Sequence, residues 1–385
     1  MPAKVAVVRC ESYERSVVES SILTAVNLIG GINTSVKAGD RVLLKPNLCL
    51  PEPPERCLTT HPEVVRCIAQ LCIKAGAKVI IGDNPVGEAS PARLDHIWDS
   101  TGMSSVTGDL NCSRSLLDKD ITAHSCTIED NEYSFFISRE VFSADSIINM
   151  PKFKTHSLMT FTGAVKNLYG LLPGNSKKKL HSELPEHDRF AELLTAVYKL
   201  VKPKLHIMDA VIGIEGDGPG TRGEKRYIGL ILAGTDGIAL DAVSSMLMNV
   251  KPSNVPTNRI GGLLGLGEND IEKIEVLGES LDKYIIKNYK LPMTCLYHSK
   301  LTQKLFNIAR AYIKINTDKC KRCGLCIENC PNSAVKDQDG TVYIDQKTCI
   351  ACMTCQEICP SGAVESKRPD FYKQLKQLDR NKSTN

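Results

Sequence analysis

The chain has 385 residues, 24% of them charged and 5% aromatic, and a formal net charge of +4. So mild a charge, with so few stacking rings, argues against a nucleic-acid binder. No apolar run approaches the roughly 20 residues of a membrane span and no leader pattern opens the chain, which predicts a cytoplasmic protein of two or three domains.

Lys4–Arg9 is a short apolar strand, and Glu14–Leu28 carries Val17, Val18, Ile22 and Ala25 at helical spacing before Gly30-Gly31. Arg41–Lys45 is a second buried strand, running into Pro46 and Asn47. Thr60-His-Pro-Glu63 reads as a helix start, with Thr60 as cap and Glu63 placed for a capping box. That helix carries Val64, Ile68 and Leu71, ends at Gly76, and is followed by the strand Lys78–Asp83. Strand, helix, strand in so short a span is a βαβ unit, which makes these strands parallel.

The middle is less regular. Arg93–Ser100 reads as a short helix, Ser125–Ser138 as two strands about Asn131, and Ser146–Met150 as a buried strand opening into Pro151-Lys-Phe-Lys-Thr-His156. Phe190–Val201 is helical, Leu205–Asp209 and Ile228–Ala233 are buried strands, and a helix runs from Gly237 to Met248. Ile271–Leu277 is a last short strand. Apolar residues at Leu301, Leu305, Ile308 and Tyr312 make one stripe of a linking helix that would dock the C-terminal segment onto the core.

In open parallel sheets, ligands bind beyond the carboxyl ends of the strands. Successive strands deliver Lys45 and Asn47, Asp83 and Asn84, then Asn149, Lys152, Lys154, Thr155 and His156, then Asp209 with Glu215, and finally Asp236. Any one of these is more often a solvated loop residue, but their coincidence at one edge points to a site. Three donors at alternate positions, Lys152, Lys154 and His156, suit a phosphate or carboxylate. Lys166 follows, and then Lys177-Lys-Lys179, which reads as a basic loop with Lys178 solvated; a glycine–lysine loop closing on an anion is the competing reading. Gly218-Pro-Gly220-Thr-Arg-Gly223 matches G-x-G-x-x-G but precedes a strand, so no helix N-terminus is there to hold a pyrophosphate.

The cysteines carry the most specific signal. Cys320, Cys323, Cys326 and Cys330-Pro331 repeat as Cys349, Cys352, Cys355 and Cys359-Pro360. Each run has the C-x2-C-x2-C-x3-C-P spacing in which three thiolates wrap one cubane and the fourth crosses to the other. Cys320, Cys323, Cys326 and Cys359 are thus expected on one [4Fe–4S] cluster, and Cys349, Cys352, Cys355 and Cys330 on the second. A zinc site would have no use for the third evenly spaced cysteine. The other cysteines (Cys10, Cys49, Cys57, Cys67, Cys72, Cys112, Cys126 and Cys295) have no metal spacing and read as reduced, mostly buried thiols.

Residues 313–367 resemble the two-cluster bacterial ferredoxins over their whole length. Lys45-Pro-Asn47, Thr60-His-Pro62, Gly82-Asp83, Asn149-Met-Pro-Lys-Phe-Lys-Thr-His156, Lys166-Asn167, Gly170, Asp209, Gly216-Asp-Gly-Pro219, Asp236 and Ala239-Leu-Asp241 resemble the domain-of-unknown-function 362 family. Many of its members end in such a ferredoxin, and the resemblance implies an iron–sulfur protein of anaerobic or redox metabolism. Thr59–Asp83 is also distantly similar to the N-terminal part of nickel-pincer lactate racemases, a likeness that a βαβ unit alone could produce.

The fold expected is α/β, a mainly parallel sheet with flanking helices over residues 1–290. A helical linker (291–312), a small α+β ferredoxin domain (313–367) and a polar tail (368–385) complete the chain. The function expected is an oxidoreductase passing electrons from the clusters, supplied or drained by a redox partner protein, to an anionic substrate or further cofactor at the sheet edge. Lys45, Asn47, Asp83, Lys152, Lys154 and Lys166 would bind it, His156 would give a proton, and Asp209 would orient the ligand or hold a cation. An electron carrier that only docks a partner enzyme, and a module that hands a metal or cofactor to another protein, remain the alternatives.

Overall fold

The computed structural model describes residues 2–85, 90–292 and 312–367. Its strands are β1 (Ala3–Arg9), β2 (Arg41–Pro46), β3 (Lys78–Gly82), β4 (Ser113–Ser115), β5 (Ile121–Ile128), β6 (Asn131–Ser138), β7 (Ser146–Met150), β8 (Lys152–His156), β9 (Thr160–Thr162), β10 (Leu205–Gly216), β11 (Gly223–Gly234) and β12 (Ile274–Gly278). Among the described residues they form a mixed sheet in the order β12-β1-β11-β10-β7-β2-β3-β4, with β8 on β10 and β9 on β8; β5 and β6 make a separate hairpin. The run β10-β7-β2-β3-β4 is parallel throughout. The fold is therefore α/β with a mainly parallel sheet.

Alternation along β2 builds the layers. Val42 and Leu44 join a core with Val18 and Ile22 of the helix Arg15–Leu28 and Val64 and Ile68 of the helix Pro62–Lys74. Leu43, on the other face, joins a core with Phe190, Leu193 and Val197 of the helix His187–Val201. Successive strand side chains point to opposite faces, so an all-apolar strand needs a helical layer on each side.

Four expectations are corrected. The helix at Pro62 is capped by His61, whose Nδ1 accepts from Glu63 N, while Thr60 accepts from Asn47 N and donates to the Met150 carbonyl. The segment after Met150, expected to offer its donors at an open sheet edge, is itself strand β8 (Lys152–His156), buried throughout. Lys177-Lys-Lys179 lies in the helix Gly174–Glu183, with Lys177 buried. Asp236 goes to the opposite sheet edge, because β10 and β11 form an antiparallel hairpin that pairs His206 with Gly234. There Asp236 caps the helix Gly237–Leu247, accepting from Ile238 N and Ala239 N.

The C-terminal unit pairs β13 (Tyr312–Ile315) with β16 (Val364–Lys367) and β14 (Val335–Gln338) with β15 (Thr341–Ile344). Tyr312 thus opens a strand, half-exposed, rather than closing a helix; Leu301, Leu305 and Ile308 lie outside the described residues. The unit packs on the core through Ile358, which shares a cluster with Leu50, Leu58 and Ile214. Thr221 Oγ1 donates to the Cys359 carbonyl at 2.6 Å and Ser182 Oγ to Asn332 Oδ1 at 2.7 Å. A Cβ on Gly220 would meet the Glu357 carbonyl oxygen at 2.2 Å. The glycines of that loop therefore serve close approach of the C-terminal unit, not a nucleotide.

Candidate functional site

The sheet edge holds a cavity of about 100 Å³, partly open to solvent, bounded by core and C-terminal unit together. Its floor comes from the carboxyl ends of β2 (Lys45, Asn47) and β3 (Asp83, Asn84), with Lys154 of β8 and Lys166 of the short helix Ala164–Asn167. Lys177, Lys178 and His181 form one wall, and Asn329, Thr354 and Glu357 bring the C-terminal unit to it.

Lys45 and Asp83 are an ion pair at 2.8 Å, both buried. Burial pulls the Lys45 ammonium below its usual range and Asp83 opposes this. A Cβ on Gly170 would lie 2.2 Å from Asp83 Oδ1 and 2.7 Å from Lys45 Nζ, so only glycine leaves room for the pair. Lys154 has neutral partners instead, donating to Asn47 Oδ1 at 2.7 Å, the Leu58 carbonyl at 2.7 Å and Cys49 Sγ at 3.2 Å. Lys166 stands over the Tyr169 ring at 5.9 Å. Burial lowers its pKa, Glu357 opposing and Lys154 reinforcing the shift. Lys177 donates to the Asn84 carbonyl, and burial draws it down to about 7. Five lysines against two carboxylates make this a cavity for anions.

Lys152 and Asp209 are not brought to this cavity. They pair at 2.8 Å, both fully buried, in a closed cluster with Tyr13 and His61. Lys152 Nζ donates to Tyr13 Oη at 2.6 Å, Tyr13 Oη to Asp209 Oδ1 at 2.8 Å, and His61 N to Asp209 Oδ2 at 2.9 Å. Asp209 has its acceptors filled by this chain's own donors, which corrects its expected role as a ligand-orienting group.

His156 lies behind the cavity wall. Its Nδ1 accepts from Leu158 N at 3.0 Å and Met159 N at 3.1 Å, which puts the ring proton on Nε2, 2.9 Å from Glu357 Oε1. Burial pulls the imidazole down to about 4. Burial would raise the Glu357 carboxyl, but His156 and Lys166 hold it at about 2. His156 is therefore neutral near pH 7 and bridges the two units, which removes the reason for making it the proton donor. Glu357 was missed in the sequence. The cysteine repeat does not single it out, because Glu328 holds the equivalent place in the first half; only the change from Asn329 to Ile358 beside it hints at a docked surface.

The cysteines line two further cavities. Cys330, Cys349, Cys352 and Cys355 bound one, and Cys320, Cys323, Cys326 and Cys359 the other. Among the described residues no three or more His, Cys, Asp or Glu side chains draw together to hold a metal ion. Each set of four instead lines a single void, the arrangement that four thiolates on one cluster require. The halves match in backbone: Arg322 and Ala351 are both left-handed (φ 52° and 55°), as are Gly324 and Met353. Ala334 N donates to Cys330 Sγ and Ala363 N to Cys359 Sγ, at 3.1 and 3.3 Å. Such N–H donors stabilise thiolate sulfur, so the residues fit two clusters.

Fold and cavities define an iron–sulfur protein, an α/β core joined to a two-cluster domain. Residues 312–366 match the 4Fe-4S dicluster domain. Residues 42–246 match the domain of unknown function DUF362, and the chain belongs to that family. It is 35% identical over 297 residues to the Thylakoid-associated protein sll1697 of Synechocystis sp., covering 76% of this chain and 88% of that protein. The lactate racemase apoprotein from Thermoanaerobacterium thermosaccharolyticum is similar at a TM-score of 0.41 and 12% identity, over 65% of this chain and 58% of that one. So slight a likeness carries no argument about activity. Among the described residues no helix is long and apolar enough to cross a membrane.

Proposed function

We propose that this protein is an iron–sulfur oxidoreductase that reduces, or is reduced by, a small anion held between its core and its cluster domain. One observation carries the reading. Thr354, Glu357 and Asn329 line the anion cavity, and Thr354 and Asn329 are the immediate neighbours of cluster cysteines Cys355 and Cys330. The clusters supply or take single electrons at low potential, and each electron gained by the bound anion is one lost by a redox partner protein, or the reverse. The chain's own residues do the rest. Lys154, Lys166 and Lys177 bind the anion, the Lys45–Asp83 pair fixes the floor, and Asn47 orients Lys154. Ile358, Thr221 and Ser182 hold the two units together, with His156 and Glu357 facing each other across the join. A protein that only carried electrons would need no cationic cavity beside its cysteine loops. We place it in the cytoplasm because the described cysteines outside the cluster runs are free thiols.

The test is anaerobic purification with iron, sulfide and small-molecule analysis. The expected result is about eight irons and eight sulfides, from two sets of four thiolates, and a bound anion that Lys166→Ala loses without losing iron. Full iron content with no anion retained, and no anion that reoxidises the reduced protein, would remove the enzyme reading.

A further inference from the structure

The two halves of the cysteine repeat share a backbone but differ in the residues they present. Lys321 and Arg322 stand between the first two cysteines of one half, and Ile350 and Ala351 between those of the other. Arg322 and Ala351 adopt the same left-handed conformation, so the loop does not dictate the difference. What differs is the surroundings. The second half supplies Ile358 to the core contact and Thr354 and Glu357 to the anion cavity. The first half also reaches the core, through Leu325, Asn329 and Asn332, but its opening loop faces out: Lys319, Lys321, Arg322 and Cys323 are all exposed. Cys323, Lys321 and Arg322 line the cavity of the outward four-cysteine set. Lys319 has Glu365 at 3.7 Å, but Lys321 and Arg322 have no carboxylate partner among the described residues. Two unpaired cations thus stand beside the one exposed cluster cysteine described, in a loop that lines no part of the anion cavity.

We propose that this face is the docking site of an acidic electron-transfer protein, which exchanges electrons with the cluster of Cys320, Cys323, Cys326 and Cys359. One electron leaves the partner for each one gained here, or the reverse. Charge complementarity of this kind steers association and makes it salt-dependent. The proposal does not depend on what occupies the anion cavity.

The test is equilibrium binding of the intact, cluster-loaded protein to a strongly acidic plant-type [2Fe–2S] ferredoxin, measured by calorimetry at low and moderate ionic strength. Lys321→Glu with Arg322→Glu should weaken binding at least tenfold at low salt and flatten the salt dependence, with iron content unchanged. Lys321→Gln with Arg322→Gln should fall between. Lys251→Glu with Lys283→Glu changes the net charge equally on the core and should leave affinity within about twofold. Equal weakening by the two charge reversals would overturn the proposal. So would failure of the wild type to bind the acidic probe, or tighter binding of cationic cytochrome c.

Discussion

Lys152 and Lys154 stand two residues apart on one face of one strand, and the molecule uses them in opposite ways. Lys152 meets Asp209, with Tyr13 and His61 closing the cluster, so charge is cancelled where it is buried. Lys154 meets an amide oxygen, a carbonyl and a thiol, and its charge stays uncancelled beside a cavity that also holds Lys166 and Lys177. A buried cation paired with a carboxylate is part of the fold. A buried cation given only neutral acceptors is held ready for an anion from outside.

Breaking the closed cluster should have the largest effect. Lys152→Met leaves Asp209 charged and buried, which costs about 3–5 kcal/mol of stability, whereas Lys152→Met with Asp209→Leu should recover much of the loss. Denaturant unfolding under argon reads both; a single variant as stable as the wild type would mean that the pair does not matter to the fold. The open cluster should behave the other way. Lys166→Met should leave unfolding unchanged or slightly stabilised, yet weaken binding of the copurifying anion ten- to hundredfold, the worth of a charge-assisted hydrogen bond of about 1.5–3 kcal/mol. Loss of stability with no loss of affinity would erase the distinction between the two clusters.

A smaller effect concerns pH. Burial draws Lys177 to about 7, with Asp83 opposing and Lys45 and Lys166 adding to the shift. The ammonium is charged below that value and neutral above it, so anion affinity should fall as pH rises through about 7, by up to about tenfold. Lys177→Gln should flatten that step in a calorimetric pH series. An unaltered step would assign it to another group. The smallest effect belongs to Lys178, which donates to the Glu328 carbonyl at 2.8 Å across the interface. Lys178→Ala should cost about 0.5–1.5 kcal/mol in thermal unfolding and barely change affinity. A ligand loss as large as that of Lys166→Met would give Lys178, on the cavity wall, as large a share in binding as Lys166.

Much of the architecture could be read from the chain. β2, β3 and β7 are largely apolar runs, and such runs belong to parallel strands covered on both faces. Strand β8 was hidden because Lys152-Phe-Lys-Thr-His156 alternates like a solvated strand end. It is buried by the loop bearing Asn47, Cys49 and Leu58 and by Glu357, none of which is near it in sequence. The destination of Asp236 was readable: eight residues from Gly216 to Gly223, four of them glycine, are too few for a crossover and enough for a hairpin. What no local pattern distinguishes is which of two lysines finds a carboxylate, because Asp209 comes from a strand more than fifty residues away. The cysteine runs were legible throughout, since cluster chemistry fixes their spacing.

The most direct measurement mixes dithionite-reduced protein with the anion recovered from it, under argon, and follows cluster absorbance in a stopped flow. Saturable reoxidation is predicted, with Lys166→Met needing about ten- to hundredfold more anion for the same rate. Clusters that stay reduced with every recovered anion, but are reoxidised by an acidic redox protein, would contradict the account and leave an electron carrier in its place.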